Sequence, residues 1–180
     1  MNKLILTVLL VLVGCTGCVE DPSVNPPNIQ FPDTLYIGDS NCDPVFNFWH
    51  TAQELAGVPF ICEAGRLLVQ VTPNQLYSRD SYARVVIALG VNDAAKHVNI
   101  DGYRSRLREF LTYDSAEYTC VLPYRTDSID EEPYRQVMLE ECTNRLDPEA
   151  LGIQLTHDKV HWTVTGHNDF ADDLIQYLEE

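Results

Sequence analysis

Apolar and polar positions alternate along this chain in two distinct rhythms. Four short β-prone runs each end at a turn-forming residue. They are Thr34-Leu35-Tyr36-Ile37 before Gly38, Val58-Pro59-Phe60-Ile61-Cys62 before Glu63-Ala64-Gly65, Arg84-Val85-Val86-Ile87-Ala88-Leu89 before Gly90, and Tyr118-Thr119-Cys120-Val121-Leu122 before Pro123. Runs of this length and makeup predict strands. The third is continuously apolar, as a strand buried on both faces should be. Between them the spacing becomes helical. Asp43-Pro44 reads as an N-cap followed by proline at the first helical position, and Val45, Phe48, Trp49, Ala52 and Leu55 recur up to the stop at Gly57. Tyr103, Leu107, Phe110 and Leu111 form one face of a helix capped by Asp101. A further helix is expected from about Pro133 to Arg145. Thr165 caps the last, with Phe170, Leu174 and Leu178 inward. Strands alternating with helices predict an α/β fold: a parallel sheet covered on both faces, with ligands at the strands' C-terminal ends.

The N-terminus follows neither rhythm. Lys3 precedes an unbroken apolar run from Leu4 to Val13, then Gly14 and Cys15. One positive charge, a short apolar stretch and a small residue are the layout of a signal peptide, too short for a spanning helix. Leu12-Val13-Gly14-Cys15 also resembles the bacterial lipobox, in which the cysteine is acylated and becomes the first mature residue. Cys18 is a poorer second candidate. Residues 1–14 are therefore read as a lipoprotein signal peptide, 15–33 as a Pro-rich polar tether, and 34–180 as one domain. The expected location is the bacterial cell envelope, with the domain exported and held on a membrane by its lipid. The competing reading is an ordinary secreted protein whose apolar run happens to end in cysteine.

Charge narrows the partners. Twelve basic against 27 acidic residues leave a net charge of −15, which argues against nucleic acid, because phosphate binding needs a basic face. It argues equally against adsorption on anionic head groups. Export makes disulfides permissible. Cys42 follows the first strand and Cys62 ends the second, so neighbouring parallel strands would bring them together. Cys120 lies in a later strand, and Cys142 near the end of the helix returning beside it. That geometry favours 42–62 and 120–142, with Cys18 left over; buried free thiols are the alternative.

Candidate chemistry gathers where the strands end. Ser40 follows the first run, Gly65 the second and Asn92 the third, while Asp158-Lys159-Val160-His161 lies near the C-terminus. A serine can attack an acyl carbon if a histidine takes its proton and an aspartate holds the imidazole tautomer. The backbone amide of Ser40 and the Asn92 side chain could then stabilise the oxyanion. Asp93 reads as a loop brace. Among the histidines, His50 falls in a helix, His97 lies in a loop without a nearby acid, and His167 starts the last helix. His157 and His161 have a spacing that binds metal on a helix, but Gly152 to Thr163 has little helical character and no third ligand, so no metal site is expected.

These four blocks, in this order, resemble the SGNH hydrolases, also called GDSL esterases and lipases, over residues 34–180. The resemblance implies a three-layer, flavodoxin-like α/β/α sandwich and cofactor-free hydrolysis of an acyl ester through an acyl-enzyme. It makes Ser40, His161 and Asp158 the triad and Ser40, Gly65 and Asn92 the oxyanion donors. Departures are Asn41 in place of the leucine of the name and Arg66 where an asparagine often follows the glycine. A domain this small has little room for a lid, which favours short acyl chains or O-acetyl groups, and a monomer is expected. The alternative is a non-catalytic surface lipoprotein of the same fold that binds a glycan or a protein. Loops 66–82 and 123–133 would shape the substrate site.

Overall fold

The computed structural model describes residues 31–42 and 57–180; the signal and lipidation motif, most of the tether and the helix expected after Asp43 lie outside these. Five strands, β1 (Thr34–Gly38), β2 (Phe60–Cys62), β3 (Arg84–Ala88), β4 (Glu117–Val121) and β5 (Asn144–Leu146), form one sheet in the order β2-β1-β3-β4-β5. Every pairing is parallel, with Ile37 opposite both Ile61 and Ile87, and Ile87 opposite Cys120. The helices are α1 (Pro73–Leu76), α2 (Val91–Ala95), α3 (Ile100–Leu111), α4 (Glu132–Glu141) and α5 (Val164–Glu179), with a 3₁₀ turn at Leu68–Gln70.

Successive strand residues point to opposite faces, and both faces are covered. Leu35, Ile37, Val85, Ile87 and Cys120 pack with Tyr103, Leu107 and Phe110 of α3 and Val137 and Met138 of α4. Tyr36, Val86 and Val121 pack on the other side with Phe170, Leu174 and Leu178 of α5. That is why the strands read as continuous apolar runs rather than alternating ones. On the outer surface Arg104 reaches Glu140 and Glu141 at 2.6 Å, and Arg108 reaches Glu141 at 2.8 Å, joining α3 to α4.

Three local expectations need correction. The helix expected to run to Arg145 stops at Glu141, where Cys142 turns extended (φ −93°, ψ 128°). Asn144–Leu146 then pairs with β4 as a fifth strand. Three residues without an apolar pattern carry no strand signal of their own; the neighbouring edge of β4 supplies it. The cap of α3 is Asn99, whose side chain accepts from the Gly102 amide at 3.1 Å, with Asp101 in the first turn. The cap of α5 is Thr163, which accepts from Gly166 at 3.0 Å, rather than Thr165. In both cases the side chain three residues before the bonded amide wins.

Both expected disulfides are present: Cys42–Cys62 joins the ends of β1 and β2 (Cα–Cα 5.5 Å), and Cys120–Cys142 ties β4 to the end of α4 (6.2 Å). They close loops of sequence separation 20 and 22. Chain entropy assigns about 3 kcal/mol to a loop of that size. Reduction should therefore lower the urea midpoint, and peptide mapping without reductant should recover those two linked pairs. Four free thiols would contradict the assignment.

Candidate active site

The site is assembled by four segments, the loops at the C-terminal ends of β1, β2 and β3 and a hairpin before the last helix, each fixed by its own local chemistry. β1 ends at Gly38, where a Cβ would run into Cys42 Sγ and come within 3.0 Å of the Tyr36 ring. Only glycine lets the chain turn there. Asp39, 3% exposed, closes the turn: its carbonyl accepts from Cys42 N at 3.1 Å and its Oδ1 from Asn41 N at 3.1 Å. Ser40 stands at the head of this turn, half-buried.

The partner of Ser40 arrives on a hairpin-like loop, residues 154–163. Leu155 and Trp162 bridge antiparallel, Thr163 N donates to Gln154 O at 2.8 Å, and Thr156 N donates to His161 O at 2.7 Å. Its tip contains Lys159 at φ 61°, in the left-handed region. Asp158 lies in this tip, and its Oδ1 accepts from Thr156 Oγ1 (2.6 Å), Val160 N (2.9 Å) and His161 N (3.0 Å). Its Oδ2 is left for His161 Nδ1 at 2.9 Å, and His161 Nε2 meets Ser40 Oγ at 3.0 Å. Burial pushes the Asp158 carboxyl up. The hydrogen bonds from Thr156, His161 and Val160 outweigh that and hold it well below the usual carboxylate range.

Two contacts keep this loop in register. Trp162 N donates to Asn41 Oδ1 at 3.1 Å, tying the histidine loop to the serine turn. Gly166 lets α5 pack against the hairpin, since a Cβ there would lie 2.6 Å from the Gln154 carbonyl. His167, packed on Trp162 with ring centroids 5.4 Å apart, is pushed down to about 4 by burial and stays neutral at pH 7.

The third loop follows β3. Gly90 adopts φ 139°, and a Cβ there would lie 2.7 Å from the Tyr103 hydroxyl, which itself donates to Leu89 O at 3.1 Å. Beyond it Asn92 Nδ2 donates to Asp39 Oδ2 at 3.1 Å. Asp93 is fully buried and turns away from the serine: it accepts from Leu68 N (2.8 Å) and Val69 N (3.3 Å), bracing the segment that follows Gly65. Gly65 sits in the turn Glu63–Arg66 at φ +75°, exposed, where glycine is favoured. Arg66 clamps that turn by donating to Ile61 O at 3.0 Å and Glu63 Oε2 at 2.9 Å.

Burial pushes Asp39 and Asp93 each up to about 6 despite these hydrogen bonds. An acid that holds its proton more tightly when folded stabilises the fold fully below its unfolded value near 3.8. That contribution is lost as pH rises through about 6. His167 acts in the opposite sense over about the same range, because its folded value is depressed. Asp39→Asn isolates one carboxylate from that sum. The loss of stability between pH 4 and 7 should shrink by about 2–3 kcal/mol, read from urea melts of both proteins at the two pH values. An unchanged difference would contradict the burial argument.

The structure thus brings Ser40, His161 and Asp158 into one hydrogen-bonded chain. It links Asn92 to the serine turn through Asp39 and sets Gly65 at the adjacent strand end. His157 is exposed on the hairpin, His97 lies just past α2 with φ 53°, and His50 is outside the described residues. Among the described residues no group of three or more His, Cys, Asp or Glu could hold a metal ion. Asp39 and Asn41 are the site residues to which the sequence assigned no part. Both flank Ser40, and their signal was a buried-acid and amide pair around a candidate nucleophile.

No protein-family model matches the chain, and no curated protein matches it. Solved structures do. A psychrotrophic esterase from Pseudoalteromonas sp. is similar at TM-score 0.59 and 11% identity, over 82% of this chain and 100% of that one. A GDSL-like lipase from Bacteroides thetaiotaomicron matches at 0.59 and 15%, over 81% and 87%. A carbohydrate acetylesterase family member from Sinorhizobium meliloti matches at 0.56 and 16%, over 82% and 97%. The chain has the α/β fold of the GDSL-type esterases and lipases.

Proposed function

We propose that this protein is a serine ester hydrolase of the bacterial cell envelope, with Ser40 as nucleophile, His161 as general base and Asp158 as the group that orients it. The unbroken chain Asp158–His161–Ser40, at 2.9 and 3.0 Å, carries the reading. Asp158 accepts the Nδ1 proton, so Nε2 keeps its lone pair and can take the Ser40 proton as Oγ attacks the acyl carbon. His161 then returns that proton to the leaving alcohol as the carbon–oxygen bond of the ester breaks. Water repeats the sequence on the acyl-enzyme, releasing the acid and restoring Ser40. The Asn92 amide has two hydrogens; one is engaged by Asp39, and the other is available to the oxyanion beside the Ser40 and Gly65 amides.

The acyl group is short. A cavity of about 30 Å³, with Val91, Leu122, Pro123, Val160 and Trp162 in its wall, adjoins residues flanking Ser40, Asn92 and His161. It suits an acetyl-sized group better than a fatty chain. A panel of p-nitrophenyl esters tests this: acetate should be cleaved far faster than palmitate, and equal rates would contradict it. The esterase neighbour from Pseudoalteromonas is a structure inhibited by monoethylphosphonate. A phosphonate reagent is accordingly the natural probe for Ser40.

Anchoring through acylated Cys15 belongs to the same reading. No described helix is long and apolar enough to cross a membrane. Cys15→Ser should release the protein from the membrane fraction or stall its processing, and unchanged partitioning would refute the anchor.

A further inference from the structure

The two disulfides are alike in size and unlike in place. Their sequence separations are 20 and 22, so chain entropy gives them nearly the same share in stability. Cys120–Cys142 lies in the core on the α3–α4 side, with β3 separating its strand β4 from β1. Cys42–Cys62 instead joins the turn that carries Ser40 to the strand that leads into Gly65. Cys42 stands two positions after the serine and Cys62 three before the glycine.

The strand that carries the Gly65 turn is a weak mount. β2 lies at the edge of the sheet, is three residues long, and pairs among the described residues with β1 alone. None of the three is fully buried. The ladder ends with Gly38 opposite Cys62, and the next bond, from Glu63 N to Gly38 O, is long at 3.4 Å. Arg66 holds the turn to Ile61 and Glu63, which belong to the same segment. Past the turn, Leu68 and Val69 bond to Asp93 and so to the β3 loop rather than to the serine turn. The space where a Gly65 Cβ would stand is open. A short edge strand is the part of a sheet that opens most easily. The bridge ties its end directly to the turn of the nucleophile.

Accessibility separates the two bridges as well. Cys62 is half-buried, whereas Cys120 and Cys142 are 0% and 4% exposed. A dithiol therefore reaches the Cys62 sulfur first. Its thiolate attacks that sulfur and the Cys42 sulfur leaves, taking up a proton. The reagent's second thiol then closes on the mixed disulfide and releases the Cys62 thiol. Two electrons and two protons pass to the cysteines, and the dithiol departs as a cyclic disulfide.

We infer that Cys42–Cys62 is a positioning element of the active site: it holds the Gly65 amide where the oxyanion on the Ser40 adduct needs it, so that turnover depends on this bridge and not on its twin. This rests on the hydrolase reading above, in which Ser40 and Gly65 both donate to the oxyanion. Misplacing one donor of such a set costs about ten- to hundredfold in rate. The purified protein is treated with dithiothreitol under native conditions until peptide mapping shows Cys42 and Cys62 reduced. Its kcat on p-nitrophenyl acetate should fall by about that factor, with KM changed by less than about twofold, and should return on reoxidation. Cys42→Ala/Cys62→Ala should show the same loss, while Cys120→Ala/Cys142→Ala should keep kcat within about twofold. Rates are counted per site titrated to completion by a fluorophosphonate, so that a partly unfolded sample is not mistaken for a slow enzyme. If the variants do not fold, the reduced wild-type protein decides. Full kcat with Cys42 and Cys62 reduced, or equal losses from removing either bridge, would overturn the positioning role and leave the hydrolase reading in place. If the oxidised protein cleaves no ester and is not labelled at Ser40, both fall together.

Discussion

Ser40→Ala and His161→Ala should each remove about 10⁴–10⁶ of the turnover, and the double variant should be no slower than either single one. The magnitude follows from the division of labour in the 3.0 Å contact between Ser40 Oγ and His161 Nε2. A serine hydroxyl is a poor nucleophile until a base takes its proton in the same step. Without His161 the hydroxyl remains protonated; without Ser40 the imidazole has nothing to activate except water held at the wrong distance. Because the pair acts as one unit, the second deletion removes nothing that the first has left. Rates on p-nitrophenyl acetate for the three variants check this, and multiplicative losses would show that the two side chains act separately.

Asp158→Asn should also remove most of the turnover, though about a hundredfold less than the other two, while leaving the fold intact. Oδ1 of Asp158 accepts three hydrogen bonds, from the Thr156 hydroxyl and the Val160 and His161 amides. An asparagine must place its carbonyl oxygen there, because its NH₂ cannot accept. Its amide group then faces His161 Nδ1, where Oδ2 now stands at 2.9 Å. That nitrogen has to become the acceptor, which moves the ring proton to Nε2, the position that must accept from Ser40. The catalytic tautomer is lost although every hydrogen bond is still made. The Asp158 side chain is 43% exposed, so solvent softens the tautomer preference and the expected loss in kcat is about 10²–10⁴. The amide gives up the stabilisation that the depressed carboxyl lends the fold, so thermal melts should stay cooperative and fall by a few degrees. Activity within a few-fold of wild type would contradict this account of Asp158.

Much of this was legible because the signals are local. Gly38, Gly65 and Gly90 each end an apolar run, and parallel strands carry such ends to one edge of a sheet, so Ser40, Gly65 and Asn92 could be placed together from order alone. Both disulfides followed from the same reasoning. What was not legible depended on contacts between distant segments. β5 is three residues long and exists because β4 has a free edge. Asn99 and Thr163 cap their helices in place of the neighbours that sequence favoured, since cap choice depends on which side chain reaches the amide three residues on. Asp39 had no part in the sequence reading, yet its second oxygen holds Asn92, 53 positions away.

The claim on which the rest depends is that Ser40 is an activated nucleophile, and covalent labelling reads it directly. Wild-type protein incubated with a fluorophosphonate should gain one adduct, located on Ser40 by peptide mapping, and the His161→Ala variant should gain essentially none over the same period. An adduct on another residue, no adduct at all, or equal labelling rates in the two proteins would contradict the proposed site.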